Sequence, residues 1–266
     1  MFDVLDTPRT RCIAIANQKG GVGKTTTAIN LGAALAAEGQ KVLVIDLDPQ
    51  GNASTGLGIE TEQRNYTTYD MLIEGMPLRE IVLPTNIGNL WIAPATTDLS
   101  SADVDLVNNE KRVFLLKDAL TSSTLAGFDI VLMDCPPSLN LLTVNAMVAA
   151  DAVLVPLQSE FFALEGLSQL MLTIREVRQT ANPALRIEGV VLTMFDMRNN
   201  LCRQVEEDAR ENLGELVYRT RIPRNVRLSE APSYAMSILQ YDPTSRGSEA
   251  YRDLAKEVLE RQLQKA

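Results

Sequence analysis

The chain has 266 residues, with 25 Lys and Arg against 34 Asp and Glu and no histidine, so its formal net charge is −9. The lack of histidine excludes Ser-His-Asp and Cys-His nucleophilic sites, and any zinc site with histidine ligands. The acidic balance argues against nucleic-acid binding by bulk positive charge, but it does not exclude a local basic patch.

The cysteines and the apolar runs indicate a soluble, cytoplasmic protein. Cys12, Cys135 and Cys202 are far apart in the sequence and form no CxxC pair, which fits a reducing compartment. The first dozen residues have no apolar signal-peptide core, and no apolar run approaches the roughly 18 residues of a membrane span.

Short apolar runs alternate with helical patterns along almost the whole chain. The runs are nearly continuous in apolar residues, which is typical of strands covered on both faces. The predicted strands are Cys12–Asn17, Lys41–Asp48, Leu90–Ala93, Phe128–Asp134, Ala152–Leu157 and Ile187–Met194. The predicted helices are Lys24–Glu38, Asn108–Thr121, Leu139–Ala149, Ala163–Gln179, Leu201–Asn212 and Ser248–Gln264. This order predicts an α/β fold with a mostly parallel sheet and helices on both faces.

A glycine-rich phosphate loop follows the first predicted strand and opens the first helix. Its residues are Lys19, Gly20, Gly21, Val22, Gly23, Lys24, Thr25 and Thr26. Glycine lets backbone N–H groups approach phosphates closely, and the helix N-terminus adds its dipole at the same place. Lys24 is expected to bridge the β- and γ-phosphates of a nucleotide, and the Thr25 hydroxyl is expected to ligate Mg²⁺. The general pattern has glycine where this chain has Gln18, and a second lysine, Lys19, begins the loop.

Two further buried strands are predicted to end in carboxylates. Asp46 and Asp48 come at the end of one strand, and Asp134 ends another. In open α/β sheets, ligands bind outside the carboxyl ends of the strands, so we expect these acids and the phosphate loop to meet in one crevice. A single strand-ending Asp could equally cap a turn, but the combination favours a nucleotide site. We therefore predict a single-domain P-loop NTPase over residues 11–266, preceded by an N-terminal extension at 1–10.

Several segments resemble a known family. KGGVGKTT with its leading lysine, DLDPQGN and DCPPS are similar to the deviant Walker A ATPases of the ParA/MinD superfamily. ALEGLSQL at 163–170, IEGVVLTMFD at 187–196, IPRNVRLSEAPS at 222–233 and YDPTSRGSEAY at 241–251 resemble its chromosomal ParA/Soj branch. The resemblance runs from about residue 11 to 260.

The resemblance implies an ATP- and Mg²⁺-dependent dimer switch with slow hydrolysis. Lys19 matches the lysine that reaches across a nucleotide sandwich to the phosphates of the partner subunit. Asp48 matches the carboxylate that orients the attacking water, Asp46 lies beside the water shell of the metal, and Asp134 matches the Walker B acid. Pro223 and Asn225 fall in the loop that contacts adenine.

A basic segment lies near the C-terminal end of this acidic chain. Residues 216–229 contain four arginines and no acid until Glu230. The residues alone leave two interpretations open, namely a solvated surface with internal ion pairs or a local phosphate-binding patch. The resemblance favours the second, with Arg198, Arg227 and, less strongly, Arg246 matching residues that bind double-stranded DNA without sequence specificity. It also implies nucleoid association and a ParB-like partner that stimulates hydrolysis.

Other members of the same superfamily fit the sequence less well. A MinD-like positioning ATPase needs a membrane-binding C-terminal helix, whereas the tail YRDLAKEVLERQLQKA mixes acids and bases around a short apolar stripe. We therefore expect no membrane partner. An iron–sulfur reductase needs suitably placed cysteines, and a tyrosine kinase relative needs a tyrosine-rich tail.

Overall fold

The computed structural model describes residues 9–160 and 163–263, without the side chains of 163–165. Within them, eight strands form one sheet: β1 (Arg11–Ile15), β2 (Val42–Asp46), β3 (Leu83–Pro84), β4 (Leu90–Ala93), β5 (Ile130–Asp134), β6 (Ala152–Gln158), β7 (Arg186–Phe195) and β8 (Val217–Pro223). The strand order is β3-β4-β2-β5-β1-β6-β7-β8, and every pair is parallel except β3 with β4. The predicted mostly parallel sheet is therefore confirmed.

Eleven α-helices lie between and after the strands in the described residues. They are α1 (Lys24–Ala37), α2 (Asn52–Gly56), α3 (Leu78–Ile81), α4 (Ala102–Asp105), α5 (Leu115–Ala119), α6 (Leu141–Ala149), α7 (Ala163–Thr180), α8 (Asn200–Leu213), α9 (Val226–Glu230), α10 (Ile238–Tyr241) and α11 (Arg246–Leu263). Short 3₁₀ turns occur at Thr61–Gln63, Thr97–Ser101, Gly214–Leu216 and Ala231–Tyr234, and one π turn at Asp70–Glu74. No helix among these residues is long and apolar enough to cross a membrane.

The sheet separates two apolar cores. Side chains alternate along β1, so that Cys12 and Ala14 face one core while Ile13 and Ile15 face the other. The first core also holds apolar side chains of α6, α7 and α8, and the second holds those of α1 and α11. Because each central strand is covered twice, its residues are apolar on both faces. The predicted helices on both faces of the sheet are thus confirmed.

Two sequence-based expectations differ from the structure. The predicted helix at Asn108–Thr121 is wrong for its first half, because the chain from Asn109 to Phe114 forms turns and only Leu115–Ala119 is α-helical. The edge strand β8 was not predicted, since Arg219 and Arg221 interrupt its apolar residues and make the segment resemble a surface loop. This edge strand accommodates the charges because Glu206 on α8 and Glu257 on α11 pair with its arginines.

The predicted N-terminal extension and the C-terminal end of the predicted domain lie partly outside the described residues. Of the N-terminal extension at 1–10, only Arg9 and Thr10 are described; Arg9 pairs with Asp151, and the Thr10 hydroxyl donates to the Phe128 carbonyl at 2.8 Å. The last residue of the predicted helix Ser248–Gln264 also lies outside them.

Candidate nucleotide-binding site

The carboxyl ends of three adjacent central strands form the floor of the candidate site. β5 lies between β1 and β2, and Asp134 is the register partner of both Ile15 and Asp46. The phosphate loop begins at Lys19, four residues after the end of β1, and Asp48 lies two residues after the end of β2. The sheet order therefore brings together the loop and the three acids that the sequence places at strand ends.

The phosphate loop adopts a conformation that its glycines permit. Gly21 and Gly23 have φ values of 75° and 88°, in the left-handed region that glycine occupies without strain. A Cβ atom added at Gly21 would meet nothing within 4 Å, so the loop borders open space. The Thr193 hydroxyl at the end of β7 donates to the Val22 carbonyl at 2.8 Å and holds the loop on the sheet.

The two lysines of the loop have different environments. The Lys24 side chain is buried, and its Nζ donates to the Lys19 carbonyl oxygen at 3.1 Å. Burial lowers the pKa of Lys24, although the nearby Asp134 opposes that shift. Lys19 is half exposed, and its Nζ lies 2.6 Å from Oε2 of Glu160, two residues after the end of β6. Lys24 therefore points into the site, whereas Lys19 is held by its own chain.

The three acids also differ in what their oxygens contact. Asp134 is fully buried, and its oxygens accept no hydrogen bond of ordinary distance and angle, although the Thr25 hydroxyl is near enough to lower its pKa in part. Burial, and then the neighbouring Asp46, raise the pKa of Asp134 well above its ordinary value. Asp46 is equally buried, but its oxygens accept hydrogen bonds from Asp48 and Ser54. Asp48 is 7% exposed, and its Oδ1 accepts the Gln50 N–H at 3.0 Å, as in an Asx turn.

The residues fit a magnesium ion that is held mainly through a nucleotide. Asp134 supplies an orphaned carboxylate, and Thr25 supplies a hydroxyl in the first turn of α1. Within the described part of the chain, no three His, Cys, Asp or Glu side chains form a group that could hold a metal ion. Mg²⁺ commonly binds in this way, with one or two protein ligands completed by phosphate oxygens and water.

A cavity of about 490 Å³ adjoins the phosphate loop. Gly23 and Thr26 line one side, and Pro223 and Asn225 line the other. Asn225 also caps α9, because its Oδ1 accepts the Arg227 N–H at 2.9 Å. The structure thus places the two residues that the resemblance assigns to adenine beside the phosphate loop, in a space suited to a nucleoside.

The predicted DNA-contacting arginines do not all lie together. Arg198 and Arg246 line a groove of about 1020 Å³ between the end of β7, β8 and α11, whereas Arg227 lies on α9 outside that lining. Arg198 makes a bidentate pair with Asp196, and Arg227 pairs with Glu230 at 2.9 Å. Two of these arginines therefore form the internal ion pairs that the first interpretation of the basic segment, a solvated surface, expects.

Sequence reasoning missed two residues of the site. Thr193 is the last residue but one of the predicted strand Ile187–Met194, so the strand-end rule that identified the acids could have identified it. Glu160 gave no signal, because its contact with Lys19 spans 141 positions of sequence. The three cysteines are free and buried, as small core residues are.

The sheet order, the phosphate loop and the strand-end acids define a P-loop nucleotide-binding protein of the α/β class. A family model described as an AAA domain, AAA_31, matches residues 10–187. The chromosome partitioning protein ParA of Caulobacter vibrioides is 57% identical over 253 residues, which cover 95% of each chain. The sporulation initiation inhibitor protein Soj of Bacillus subtilis is 52% identical over 93% of this chain and 98% of its own.

A solved structure is also similar to this chain in fold and in sequence. A Mycobacterium smegmatis protein described as cobyrinic acid a,c-diamide synthase, with a bound ATP analogue and magnesium, has a TM-score of 0.83 and 38% identity over 94% of each chain. The chain therefore belongs to the AAA_31 family and, within it, to the ParA/Soj group of partitioning ATPases.

Proposed function

We propose that this chain is a nucleotide-controlled DNA-partitioning switch, in which an ATP-bound sandwich dimer binds nonspecific DNA and hydrolysis releases it. The observation that supports the nucleotide part is the convergence of the phosphate loop, Asp134 and the cavity beside Pro223 and Asn225. The names of the ParA and Soj relatives support the partitioning part.

The site residues would divide the work of hydrolysis among them. Bound Mg²⁺ would offset negative charge on the phosphates, with Thr25 and Asp134 holding it directly or through water. Lys24 would exchange the Lys19 carbonyl for phosphate oxygens. Asp48 would orient the attacking water, and since the chain has no histidine base, hydrolysis by one chain alone should be slow.

Lys19 gives the switch its dependence on a second subunit. We propose that it leaves Glu160 and reaches the phosphates of the partner subunit, where a cation offsets charge as an arginine finger does. We expect Lys19→Ala to stay monomeric with ATP and Mg²⁺, and Asp48→Ala to accumulate as an ATP-bound dimer, both measured by light scattering after gel filtration. Lys41→Ala, an exposed lysine before β2, is the control. A monomeric Asp48→Ala protein would contradict the assignment.

DNA binding is proposed for Arg198, Arg227 and Arg246. Each is exposed, and dimerisation would double a patch that is weak on one subunit. Contacts to the phosphate backbone carry no sequence information. We expect ATP-dependent retention on nonspecific duplex DNA to fall for Arg227→Ala but not for Arg79→Ala, an exposed arginine on α3. Equal retention of both variants would count against the patch.

A ParB-like protein is the proposed stimulating partner, and the nucleoid in the cytoplasm is the proposed location. The C-terminal helix bears on the membrane alternative, because Leu254 and Val258 are fully buried in the core that α11 shares with α1. Such a helix has its apolar stripe covered by its own domain. Sedimentation with anionic liposomes and ATP tests this alternative, and strong binding would favour a MinD-like function.

A further inference from the structure

We propose that Asp46 is a positioning residue, whose buried carboxylate fastens the loop that carries Asp48. This inference rests on the proposed role of Asp48 in orienting water. Asp46 is the last residue of β2 and is 0% exposed. The loop turns back over it, so that the residues after the strand donate to its side chain.

Three donors satisfy the Asp46 carboxylate, one in the loop after β2 and two at Ser54 in the short helix α2 that follows it. Oδ1 accepts the Asp48 N–H at 3.1 Å, and Oδ2 accepts the Ser54 N–H at 2.9 Å and the Ser54 hydroxyl at 2.7 Å. A carboxylate has about four acceptor positions, so most of its capacity is used inside the chain. Asp48 and Ser54, at the two ends of segment 48–54, are thereby both held at the rigid end of β2.

Further hydrogen bonds join this loop and α2 to the chain after β4. The Ser54 hydroxyl accepts the Ala95 N–H at 3.1 Å, which links the loop to the chain after β4. Arg64 donates to the Ala95 carbonyl at 3.0 Å and to the Thr55 hydroxyl at 2.8 Å. Gly51 has a φ of 61°, and a Cβ there would lie 2.5 Å from the Arg64 guanidinium and 2.9 Å from the Ala95 oxygen. The loop therefore fits closely between Asp46 and Arg64.

A comparison with Asp134 distinguishes a metal-binding carboxylate from one that positions a loop. Asp134 is the register partner of Asp46 and is equally buried, yet its oxygens accept no hydrogen bond of ordinary distance and angle, and only the nearby Thr25 hydroxyl interacts with them as a donor. Asp134 is free to serve a metal ion, whereas the oxygens of Asp46 are committed to the loop. Loosening the loop should misplace Asp48, and a shift of about 1 Å in a catalytic group can cost on the order of 100-fold in rate.

The experiment compares Asp46→Asn with Ser54→Ala. Ser54→Ala removes one donor to Asp46 and the acceptor of Ala95 without altering any carboxylate. Ser100→Ala, an exposed serine, is the control. We expect both loop variants to lower kcat roughly 10- to 100-fold, while the Mg²⁺ concentration for half-maximal activity and the affinity for an ATP analogue stay within about twofold of wild type. Amide exchange at residues 48–56, measured without nucleotide or metal, should become faster in both.

Three other outcomes would show which part of the proposal is wrong or which variant decides it. If Asp46→Asn raises the Mg²⁺ requirement, and Ser54→Ala changes neither kcat nor amide exchange, Asp46 belongs to the metal site and the inference is wrong. If Asp46→Asn does not fold, Ser54→Ala alone decides by the same two measurements. If both variants exchange faster, but Asp48→Ala hydrolyses ATP like wild type, the loop is fastened as described and the proposed role of Asp48 fails instead.

Discussion

The Asp134 carboxylate is buried at the centre of the site and accepts no hydrogen bond of ordinary distance and angle, so the nearby Thr25 hydroxyl offsets its burial only in part. Its raised pKa means that the ionised form is less stable in the folded chain than in the unfolded chain. Its contribution to folding is therefore favourable below the unfolded pKa and is lost as pH rises through the folded pKa. We expect Asp134→Asn to raise the Tm of the nucleotide-free protein at neutral pH, by about 2–4 °C for each kcal/mol relieved.

The same substitution should remove the stabilisation that Mg²⁺ and ATP give to the wild type. Differential scanning fluorimetry with and without Mg²⁺ and a nonhydrolysable ATP analogue measures both effects. Asp129→Asn is the control, because Asp129 lies just before the opposite end of β5 and accepts the Lys41 N–H at 2.7 Å, which an Asn can also do. An Asp134→Asn protein that is less stable without ligand, or that keeps the full Mg²⁺-dependent shift, contradicts the assignment.

At the scale of elements, β8 is fastened to α11 by a buried acid. Glu257 accepts the Arg219 and Thr220 N–H groups at 2.9 and 3.0 Å, and Arg261 at 3.1 Å. Burial alone would raise the pKa of Glu257, but these hydrogen bonds outweigh it and lower the pKa. The resulting stability is present above the unfolded pKa and is lost as pH falls through the folded pKa.

We expect Glu257→Gln to lower the free energy of unfolding by about 1–3 kcal/mol at neutral pH, since hydrogen bonds to a charged group are worth that much. The difference from wild type should shrink in acid, below about pH 4, where the wild-type carboxyl is protonated too. Urea unfolding at several pH values measures it. Glu260→Gln, more exposed and one turn along the same helix, should change little. Equal effects of the two variants would show that β8 does not depend on Glu257.

The central strands could be predicted from the sequence because burial on both faces leaves a continuous apolar run, as in β2 and β5. The meeting of the acids at their ends could also be predicted, because parallel strands have their carboxyl ends at the same edge of the sheet. β8 could not be predicted in this way, because its arginines are balanced by acids on other elements, Glu206 on α8 and Glu257 on α11, which lie 15 and 38 positions away in the sequence. The Asp46–Ser54 contact was missed for a related reason: a loop's hydrogen bonds depend on its path, which periodicity does not describe.

At the scale of the whole molecule, the net charge is −9, and acidic side chains pair with two of the three arginines proposed to bind DNA, Arg198 and Arg227. Asp196 holds the Arg198 guanidinium through two hydrogen bonds, although the Arg198 side chain is 90% exposed. Arg224 and Arg246 form no ion pair within the described part of the chain. A phosphate must therefore compete with Asp196 for Arg198, but not with a carboxylate for Arg246.

Removing that competition should tighten DNA binding. Asp196→Asn keeps an oxygen for the Arg198 N–H, which Asp196 accepts at 3.0 Å, and removes the charge that occupies the guanidinium. Because exposed ion pairs are weak, we expect affinity for nonspecific duplex DNA to rise about two- to fivefold in the ATP-bound state. The affinity should also fall more steeply with salt concentration, since a phosphate contact by Arg198 would release further counterions from the DNA. Fluorescence anisotropy across a salt series measures both, with Asp118→Asn on α5 as the control of equal charge. If Asp118→Asn tightens binding equally, the effect comes from net charge alone, and Asp196 does not restrain Arg198.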